Sequence, residues 1–203
     1  MVTGQTLGPD GPTVKDGRVE SRPDRGKRRQ LGAFYTPLVL VELLVHEVLR
    51  PALRGRTRPP RVINPSCGDG RLLEAAARVI GEHYGVDPRP FVVGAELDTD
   101  VAAETASRLG CTVLTGDARE LLRSPEHHHA YDIVLGNPPY LSQLASSTAR
   151  GGRSSLGGGP YADVAAEFLA LSLRLVAPEG GRIGLVLPLS ILSTRDVAPI
   201  LPK

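Results

Sequence analysis

RVINPSCGDGRLLEAAARVIGEHY, the stretch from Arg61 to Tyr84, contains in succession the patterns of a strand, a tight turn and a helix. The apolar run over 61–64 is closed by Pro65 and a glycine-containing turn, which predicts a short strand that ends at that turn. The following stretch, Arg71–Tyr84, has apolar residues at helical spacing and predicts a helix. One face of that helix is expected to consist of Leu72, Leu73, Ala76 and Ile80.

The same alternation of strands and helices extends in both directions from this unit. Upstream, a helix is predicted over Leu38–Leu53, where Pro37 suits the first turn and the apolar positions are Leu40, Leu43, Leu44 and Val48. Downstream, strands are predicted at Phe91–Glu96, Thr112–Thr115, Tyr131–Leu135 and Arg182–Leu187, and helices at Thr99–Leu109 and Ala162–Val176. Alternating strands and helices imply a parallel sheet, and strands that are apolar at nearly every position imply helices on both faces. The predicted fold class is therefore α/β, with a doubly wound, mostly parallel sheet that binds ligands beyond the carboxyl ends of its strands.

The size and charge of the chain indicate one domain with a separate amino-terminal arm. A length of 203 residues suits a single domain, and a formal net charge of +2 does not by itself indicate a nucleic-acid partner. Residues 1–30 are rich in Gly, Pro and charged residues, so we expect a flexible arm there and one domain over 31–203. The basic cluster over 22–29 either lies on phosphates or is a solvated tail.

Cysteine, histidine and hydropathy patterns argue against several other classes of protein. Cys67 and Cys111 lie far apart without CxxC spacing, so we expect neither a disulfide framework nor a zinc site, as in a reducing cytoplasm. Three consecutive histidines occupy positions 127–129. They favour a surface turn over a metal site, because adjacent histidines cannot all face one ion without strain. No apolar run is long enough to span a bilayer and no secretory signal is evident, so we expect a soluble, cytoplasmic protein without a membrane partner.

The sequence Asn137-Pro138-Pro139-Tyr140 directly follows the apolar strand and has a specific chemistry. An amino group on an aromatic ring or a carbonyl is a poor nucleophile because its lone pair is delocalised. The side-chain oxygen of Asn137 and the carbonyl of Pro138 can accept its two N–H groups, and consecutive prolines fix the direction of that carbonyl. Tyr140 offers a ring on which a planar base, rotated out of its helix, can stack. The alternative is a proline-rich turn that simply leaves the strand.

Three further segments follow the ends of the predicted strands. In the first, 64–70, small residues permit close approach of a ligand, and the next helix offers backbone N–H groups to a carboxylate. Glu96 ends the second strand, where a carboxylate can accept from both ribose hydroxyls, whereas Asp98 fits a helix cap better. Asp117 follows the third strand and either accepts from an adenine amino group or only forms a turn. The glycine-rich turn over 64–70 taken alone is equally compatible with packing.

In this order, the motifs resemble those of the adenine-specific (N6) DNA methyltransferases of restriction-modification systems. The resemblance covers about residues 31–194, including Gly32–Pro37, which is similar to the family's upstream cofactor segment. It implies a Rossmann-like fold, S-adenosyl-L-methionine as the cofactor, and DNA with a flipped adenine as the partner. It also implies direct in-line transfer of the methyl group to adenine N6, without a metal or a covalent intermediate, by positioning and electrostatics.

The resemblance implies roles for individual residues. The catalytic residues would be Asn137, Pro138, Pro139 and Tyr140. The methionine part of the cofactor would be bound by Tyr35, Thr36, Asn64, Ser66, Cys67, Gly68 and Gly70. The ribose and adenine would be bound by Glu96, Leu97, Asp117, Ala118 and Phe168, with the ring of Phe168 packed against the adenine.

Departures from the family's pattern leave alternatives open. Asn64 is neutral where the family often has an acid, which weakens the expected hold on the methionine ammonium. The family's final strand hairpin and target-recognition region are missing from the sequence, so we expect a truncated gene, a split subunit or a fragment. The chain would then be an enzyme, a non-catalytic remnant, or a subunit that needs a separate chain for target recognition. Protein-glutamine methyltransferases share Asn-Pro-Pro-Tyr, but the segment upstream of Asn64 favours the DNA enzymes. The loop over 141–159 either approaches DNA through Arg150 and Arg153 or is a mobile surface loop.

Overall fold

The computed structural model describes residues 14–15, 18–19, 36–139, 164–189 and 191. Most of the basic arm, Tyr35, Tyr140, the loop over 141–159 and the segment after 191 lie outside these residues. Two-residue strands β1 (Val14–Lys15) and β2 (Arg18–Val19) pair with each other antiparallel within the arm, where the sequence predicted no strands. No helix in the described ranges is long and apolar enough to cross a membrane.

The helices of the domain follow the predicted pattern closely. Their bounds are Leu38–Leu44 (α1), Arg50–Leu53 (α2), Arg71–Tyr84 (α3), Thr99–Leu109 (α4) and Val164–Leu175 (α5). A π-helical turn, Val45–Leu49, joins α1 to α2, so that one continuous helical segment covers the predicted range. Short 3₁₀ helices, which the sequence did not predict, occur at Arg89–Phe91, Ala118–Arg123 and Pro125–His127.

Five strands form one parallel sheet. They are β3 (Val62–Asn64), β4 (Val92–Glu96), β5 (Thr112–Thr115), β6 (Ile133–Gly136) and β7 (Arg182–Leu185). Their spatial order is β5-β4-β3-β6-β7, and every pairing is parallel. The chain runs outward from β3 to β5 and then returns to the other side of β3 as β6. The strand order therefore reverses between β3 and β6, which is where open α/β sheets bind ligands.

Alternate residues of the strands enter two hydrophobic cores, one on each face of the sheet. Val62 and Ile133 pack with α1, α2 and α3 on one face, whereas their neighbours Ile63 and Val134 pack with α5 on the other. All of these side chains are fully buried. Since helices cover both faces, the expected doubly wound α/β class is confirmed.

The buried side chains of the first helical segment differ from the apolar positions whose spacing predicted it. Leu43 is 52% exposed, and the buried side chains of the segment include Val41, Leu44, Val45 and Leu49. Apolar residues occupy nearly every position from 38 to 45, so their spacing does not select one face. The π-helical turn over Val45–Leu49 changes the helical spacing again, because its hydrogen bonds span five residues and rotate the positions that follow.

Asp132 anchors the end of the sheet opposite the expected ligand site. Its nearly buried carboxylate accepts from Arg56 Nη1 at 2.7 Å and from the backbone N–H of Arg61 at 2.8 Å, with Arg58 at 3.5 Å. Burial acts to raise the pKa of Asp132, but the hydrogen bonds and positive charges outweigh it, so the pKa lies below its usual value. The hydrogen bonds from Arg56 and Arg61 therefore join Asp132, which directly precedes β6, to the segment that precedes β3.

Candidate active site

The loop between β3 and α3 is shaped by its own hydrogen bonds and by two glycines. The buried Asn64 accepts from the backbone N–H of Ser66 through Oδ1 at 3.0 Å, which starts the turn. The N–H of Cys67 donates to Ala95 O at 2.9 Å and so fixes the loop to β4. Gly68 and Gly70 have φ of +53° and +75°, values that favour glycine. These residues form a close-fitting turn at the carboxyl end of the sheet, as the sequence predicted.

Glu96 binds the same loop from the end of β4. Its Oε2 accepts from the N–H of Gly68 at 2.9 Å, and its Oε1 accepts from the N–H of Asp98 at 3.0 Å. Asp98 itself caps α4 by accepting from the backbone N–H groups of Asp100 and Val101, as predicted. Glu96 is half-buried, so its carboxylate is held at the surface of the site in a fixed orientation.

The thiol of Cys67 is buried within this loop and is not a nucleophile. Burial, followed by the charge of Glu96, raises the pKa of Cys67 to about 12, so the thiol is neutral at physiological pH. The pKa of Cys111 is raised as well, mainly by burial, and both cysteines are free thiols. The side chain of Cys67 therefore contributes packing and shape to the loop.

Asp117 is in place after β5, but its carboxylate is engaged by a neighbour. Oδ1 accepts from the backbone N–H and from Nε of Arg119 at 2.9 Å, and Oδ2 accepts from the same guanidinium. The side-chain hydrogen bonds from Arg119 lower the pKa of Asp117 below its usual value. Arg119 also bonds Glu167 Oε2 at 3.0 Å, which ties the 3₁₀ helix to α5. An adenine amino group at Asp117 would have to share the carboxylate with Arg119.

The apolar residues expected around the adenine have different exposures. Leu97 is 59% exposed at the end of β4, whereas Ala118 is buried in the second core. Phe168 is half-buried on α5 and packs against that same core. Phe168 and Ala118 thus share one face of the sheet, and Leu97 presents an uncovered apolar side chain at the carboxyl end of β4.

Asn137 and the prolines follow β6 immediately beside the β3 loop. A Cβ placed on Gly136 would lie 3.6 Å from Asn64 Oδ1 and 3.9 Å from Pro65 Cδ, so the two strand ends nearly touch. Asn137 is half-buried and Pro138 is buried. The structure therefore brings the Asn-Pro-Pro segment and the glycine loop together at the point where the strand order reverses.

The upstream segment reaches the site through Thr36. Thr36 is buried, and its carbonyl accepts from Arg71 Nη1 at 3.4 Å. Arg71 is the first residue of α3, and its Nε lies 2.9 Å from Asp69 Oδ2 in the glycine loop. Thr36 is therefore linked to the glycine loop through Arg71, whereas Tyr35 lies outside the described residues.

The residues around the loop fit S-adenosylmethionine in three respects. The hydroxyl of Ser66 is buried and has no hydrogen-bond partner among the described residues, which suits a polar group of a ligand. The side of Gly68 where a Cβ would stand is open for 4 Å. Each oxygen of Glu96 accepts one backbone N–H and keeps a lone pair for a ribose hydroxyl.

Several residues that support the site were missed in the sequence. They are Thr105 and Arg108 on α4 and Arg119 after β5, which bond Gly68, Asp69 and Asp117. Thr105 was detectable, because it shares the buried stripe of α4 with Ala102. A polar residue in an apolar stripe needs a hydrogen-bond partner. The two arginines carry no such pattern.

The histidine run has structural roles. His127 Nδ1 lies 2.8 Å from the hydroxyl of Tyr131, and His129 Nδ1 lies 2.8 Å from the carbonyl oxygen of Val176. Within the described ranges no cluster of three or more metal-ligating side chains occurs.

Comparison with known proteins shows the family. The model of the family described as N-6 DNA Methylase matches residues 24–198. The type II methyltransferase M.BanIII of Aneurinibacillus aneurinilyticus is 25% identical over 135 residues, 57% of this chain and 23% of that protein. The release factor glutamine methyltransferase of Bordetella pertussis is 33% identical over 138 residues, 62% of this chain and 47% of that protein. The chain thus spans less than half the length of these curated relatives.

Solved structures with a similar fold include methyltransferases. A putative class I S-adenosylmethionine-dependent methyltransferase from Listeria monocytogenes superimposes with a TM-score of 0.62 at 17% identity, covering 84% of this chain and 51% of the other. The methyltransferase subunit of a type I restriction-modification system from Streptococcus thermophilus has a TM-score of 0.55 at 25% identity, covering 78% of this chain and 35% of the other.

These comparisons confirm the Rossmann-like methyltransferase fold that the motifs implied. Membership of this family supports S-adenosylmethionine as the cofactor. The family model covers far more than half of the residues. The chain belongs to the N-6 DNA methylase family.

Proposed function

We propose that this chain is the catalytic part of an enzyme that transfers a methyl group from S-adenosylmethionine to N6 of adenine in DNA. The observation that carries the proposal is the position of Asn137-Pro138-Pro139, directly after β6 and beside the glycine loop of β3. A target nitrogen held by Asn137 would then lie next to a cofactor held by the loop. Family membership supports methyl transfer on DNA, and the adenine N6 target is the finer proposal.

Asn137 and Pro138 would act on the acceptor nitrogen. The Asn137 side-chain oxygen and the Pro138 carbonyl each accept one N–H of the amino group, which draws the nitrogen toward pyramidal geometry and frees its lone pair. The pyrrolidine rings of Pro138 and Pro139 fix the φ dihedral angles of the backbone, so the acceptors keep their direction as the reaction proceeds. Tyr140, which lies outside the described residues, is proposed to stack on the flipped base.

The loop residues would orient the cofactor. When bound, S-adenosylmethionine supplies an electrophilic methyl group on a sulfonium. Glu96 is already fixed by two backbone N–H groups and accepts from the ribose hydroxyls with its remaining lone pairs. The neutral Cys67 thiol offers no competing nucleophile. The contribution of these residues is alignment of the reacting atoms, which supplies much of the rate in a direct displacement.

Target recognition is proposed to come from outside the described domain. The similarity to the methyltransferase subunit of a type I system, at 25% identity, supports a partner subunit for this role. A chain that depends on such a partner binds the cofactor alone but methylates DNA only when the partner is added. An autonomous enzyme methylates DNA without it.

A second candidate is methylation of a protein glutamine amide. It is favoured by the 33% identity to the release factor glutamine methyltransferase, and the same two acceptors suit an amide nitrogen. The segment upstream of Asn64 supports the DNA enzyme instead, because it resembles the upstream cofactor segment of the adenine-specific DNA methyltransferases. Its residue Thr36 contacts Arg71 at the start of α3.

Radiolabel transfer tests both candidates. The full chain is incubated with tritiated S-adenosylmethionine and either unmethylated DNA or a bacterial release factor, and the products are identified by mass spectrometry. We expect N6-methyladenine in DNA. In Asn137→Ala we expect about a hundredfold loss of rate, the size of one preorganised hydrogen bond in the transition state. Methylglutamine as the product would contradict the proposal in favour of the second candidate. Absence of cofactor binding would contradict both.

A further inference from the structure

Helix α4 contacts the glycine loop through a buried hydroxyl. Thr105 is 2% exposed, and its Oγ1 donates to the carbonyl of Gly68 at 2.9 Å. A threonine in the apolar stripe of a helix would normally be replaceable by an aliphatic residue. Here the hydroxyl has a specific partner 37 positions away in the chain, which links α4 to the loop.

The bond from Thr105 fixes the orientation of one peptide plane. In a trans peptide, the carbonyl of one residue and the N–H of the next point in opposite directions. Because the Gly68 carbonyl points toward α4, the N–H of Asp69 points away from α4. Within the described residues no acceptor for that N–H is found.

Gly68 is held from both sides. Its N–H donates to Glu96 Oε2 at 2.9 Å while its carbonyl accepts from Thr105. The direction of its absent Cβ is open for 4 Å. The peptide between Gly68 and Asp69 therefore cannot rotate without breaking a bond, and it borders free space that a ligand can enter.

Arg108 reinforces the same arrangement one turn further along α4. Its guanidinium bonds the carbonyl of Asp69 and lies 2.9 Å from Glu74 Oε2 on α3. Gly70 leaves room for α4, because a Cβ there would lie 2.7 Å from Thr105 Cγ2. Two successive carbonyls of the loop are thus directed toward α4.

We propose that Thr105 is a positioning residue for the amino-acid end of the cofactor. By holding the Gly68 carbonyl, Thr105 directs the Asp69 N–H toward the carboxylate of the methionine part, where a charge-assisted hydrogen bond forms. The inference rests on the proposed cofactor site. It predicts that Thr105 affects the amino-acid end and leaves binding of the adenosine end unchanged.

The test compares two ligands on matched variants of the full chain. Dissociation constants of S-adenosylmethionine and of 5′-methylthioadenosine, which lacks the amino acid, are measured by titration calorimetry. In Thr105→Val we expect about a tenfold weaker affinity for S-adenosylmethionine, the size of one hydrogen bond to a charged group, and unchanged affinity for 5′-methylthioadenosine. Thr105→Ser keeps the hydroxyl and should restore the affinity. Thr112→Val, at an exposed site at the start of β5, is the matched control.

Arg108→Met provides a second variant, since Arg108 is 43% exposed and its replacement leaves the core intact. Arg108→Met should also weaken the affinity for S-adenosylmethionine while leaving the affinity for 5′-methylthioadenosine unchanged. Equal losses for both ligands, or wild-type affinities in Thr105→Val and Arg108→Met, would overturn the inference while leaving the proposed function in place. If the wild-type chain bound neither ligand, the proposed function would fail first and this inference with it.

Discussion

Replacement of Gly70 by alanine should destabilise the domain by more than its backbone conformation alone requires. Gly70 has φ of +75°, and alanine in the left-handed region costs about 1–2 kcal/mol. The new Cβ would lie 2.7 Å from Thr105 Cγ2 and 2.8 Å from Leu109 Cδ1, and overpacking of this kind costs about 1–3 kcal/mol. The expected loss of unfolding free energy is therefore about 2–5 kcal/mol. Because Thr105 must move, the affinity for S-adenosylmethionine should fall as well.

Gly85→Ala separates the two contributions. Gly85 ends α3 with φ of +65°, and its Cβ position is open for 4 Å, so alanine there carries only the backbone cost of about 1–2 kcal/mol. Urea unfolding of the wild type and both variants gives the three free energies. If Gly70→Ala lost no more stability than Gly85→Ala, the close approach of α4 to the loop would be refuted.

Three further perturbations have expected outcomes. Asp132→Asn should lower the unfolding free energy at pH 7 by about 3 kcal/mol, since it leaves arginines near a buried neutral group. Because the folded pKa of Asp132 lies below its ordinary value of 3.8, this difference should be full above that pH and shrink as the pH falls below it; a pH-independent difference in thermal unfolding would contradict the assignment. Glu96→Gln should weaken the affinity for S-adenosylmethionine about tenfold in calorimetry, because the amide NH₂ would face the backbone N–H of either Gly68 or Asp98. An unchanged affinity would show that Glu96 is not part of the cofactor site. Cys67, with its pKa raised to about 12, should resist iodoacetamide at pH 8 until urea unfolds the chain, and rapid labelling of native protein would show that the loop opens.

The helices α3 and α4 could be predicted from the sequence to the residue. In both, the apolar stripe agrees with the end signals, a glycine after α3 and Asp98 before α4. The strand at Thr112–Thr115 was also predicted to the residue, whereas each of the other strands of the parallel sheet was predicted with at least one shifted end. Tyr131 makes only a single bridge to Val176, and β6 starts two residues later, at Ile133. Apolar composition marks a buried strand, whereas its ends depend on partners that a single segment does not reveal.

The candidate site could be predicted where a residue directly follows the end of a strand, because the fold class then fixes its place. Glu96 and the glycine loop meet because parallel strands end at one edge of the sheet. The engagement of Asp117 by Arg119 was not predictable, since a turn residue and an arginine two positions later have no periodic signature. The link between Thr105 and Gly68 depends on how α4 packs, which arises only in the folded chain.

A crystal structure of the chain with S-adenosylhomocysteine tests the central claim most directly. We expect the amino-acid end to bind in the Gly68 loop and the ribose to bind to Glu96. We also expect the sulfur to face Asn137, so that a methyl group and a nitrogen bound to Asn137 could approach to about 3–3.5 Å. A ligand bound away from the Gly68 loop, or a sulfur directed away from Asn137, would contradict the account.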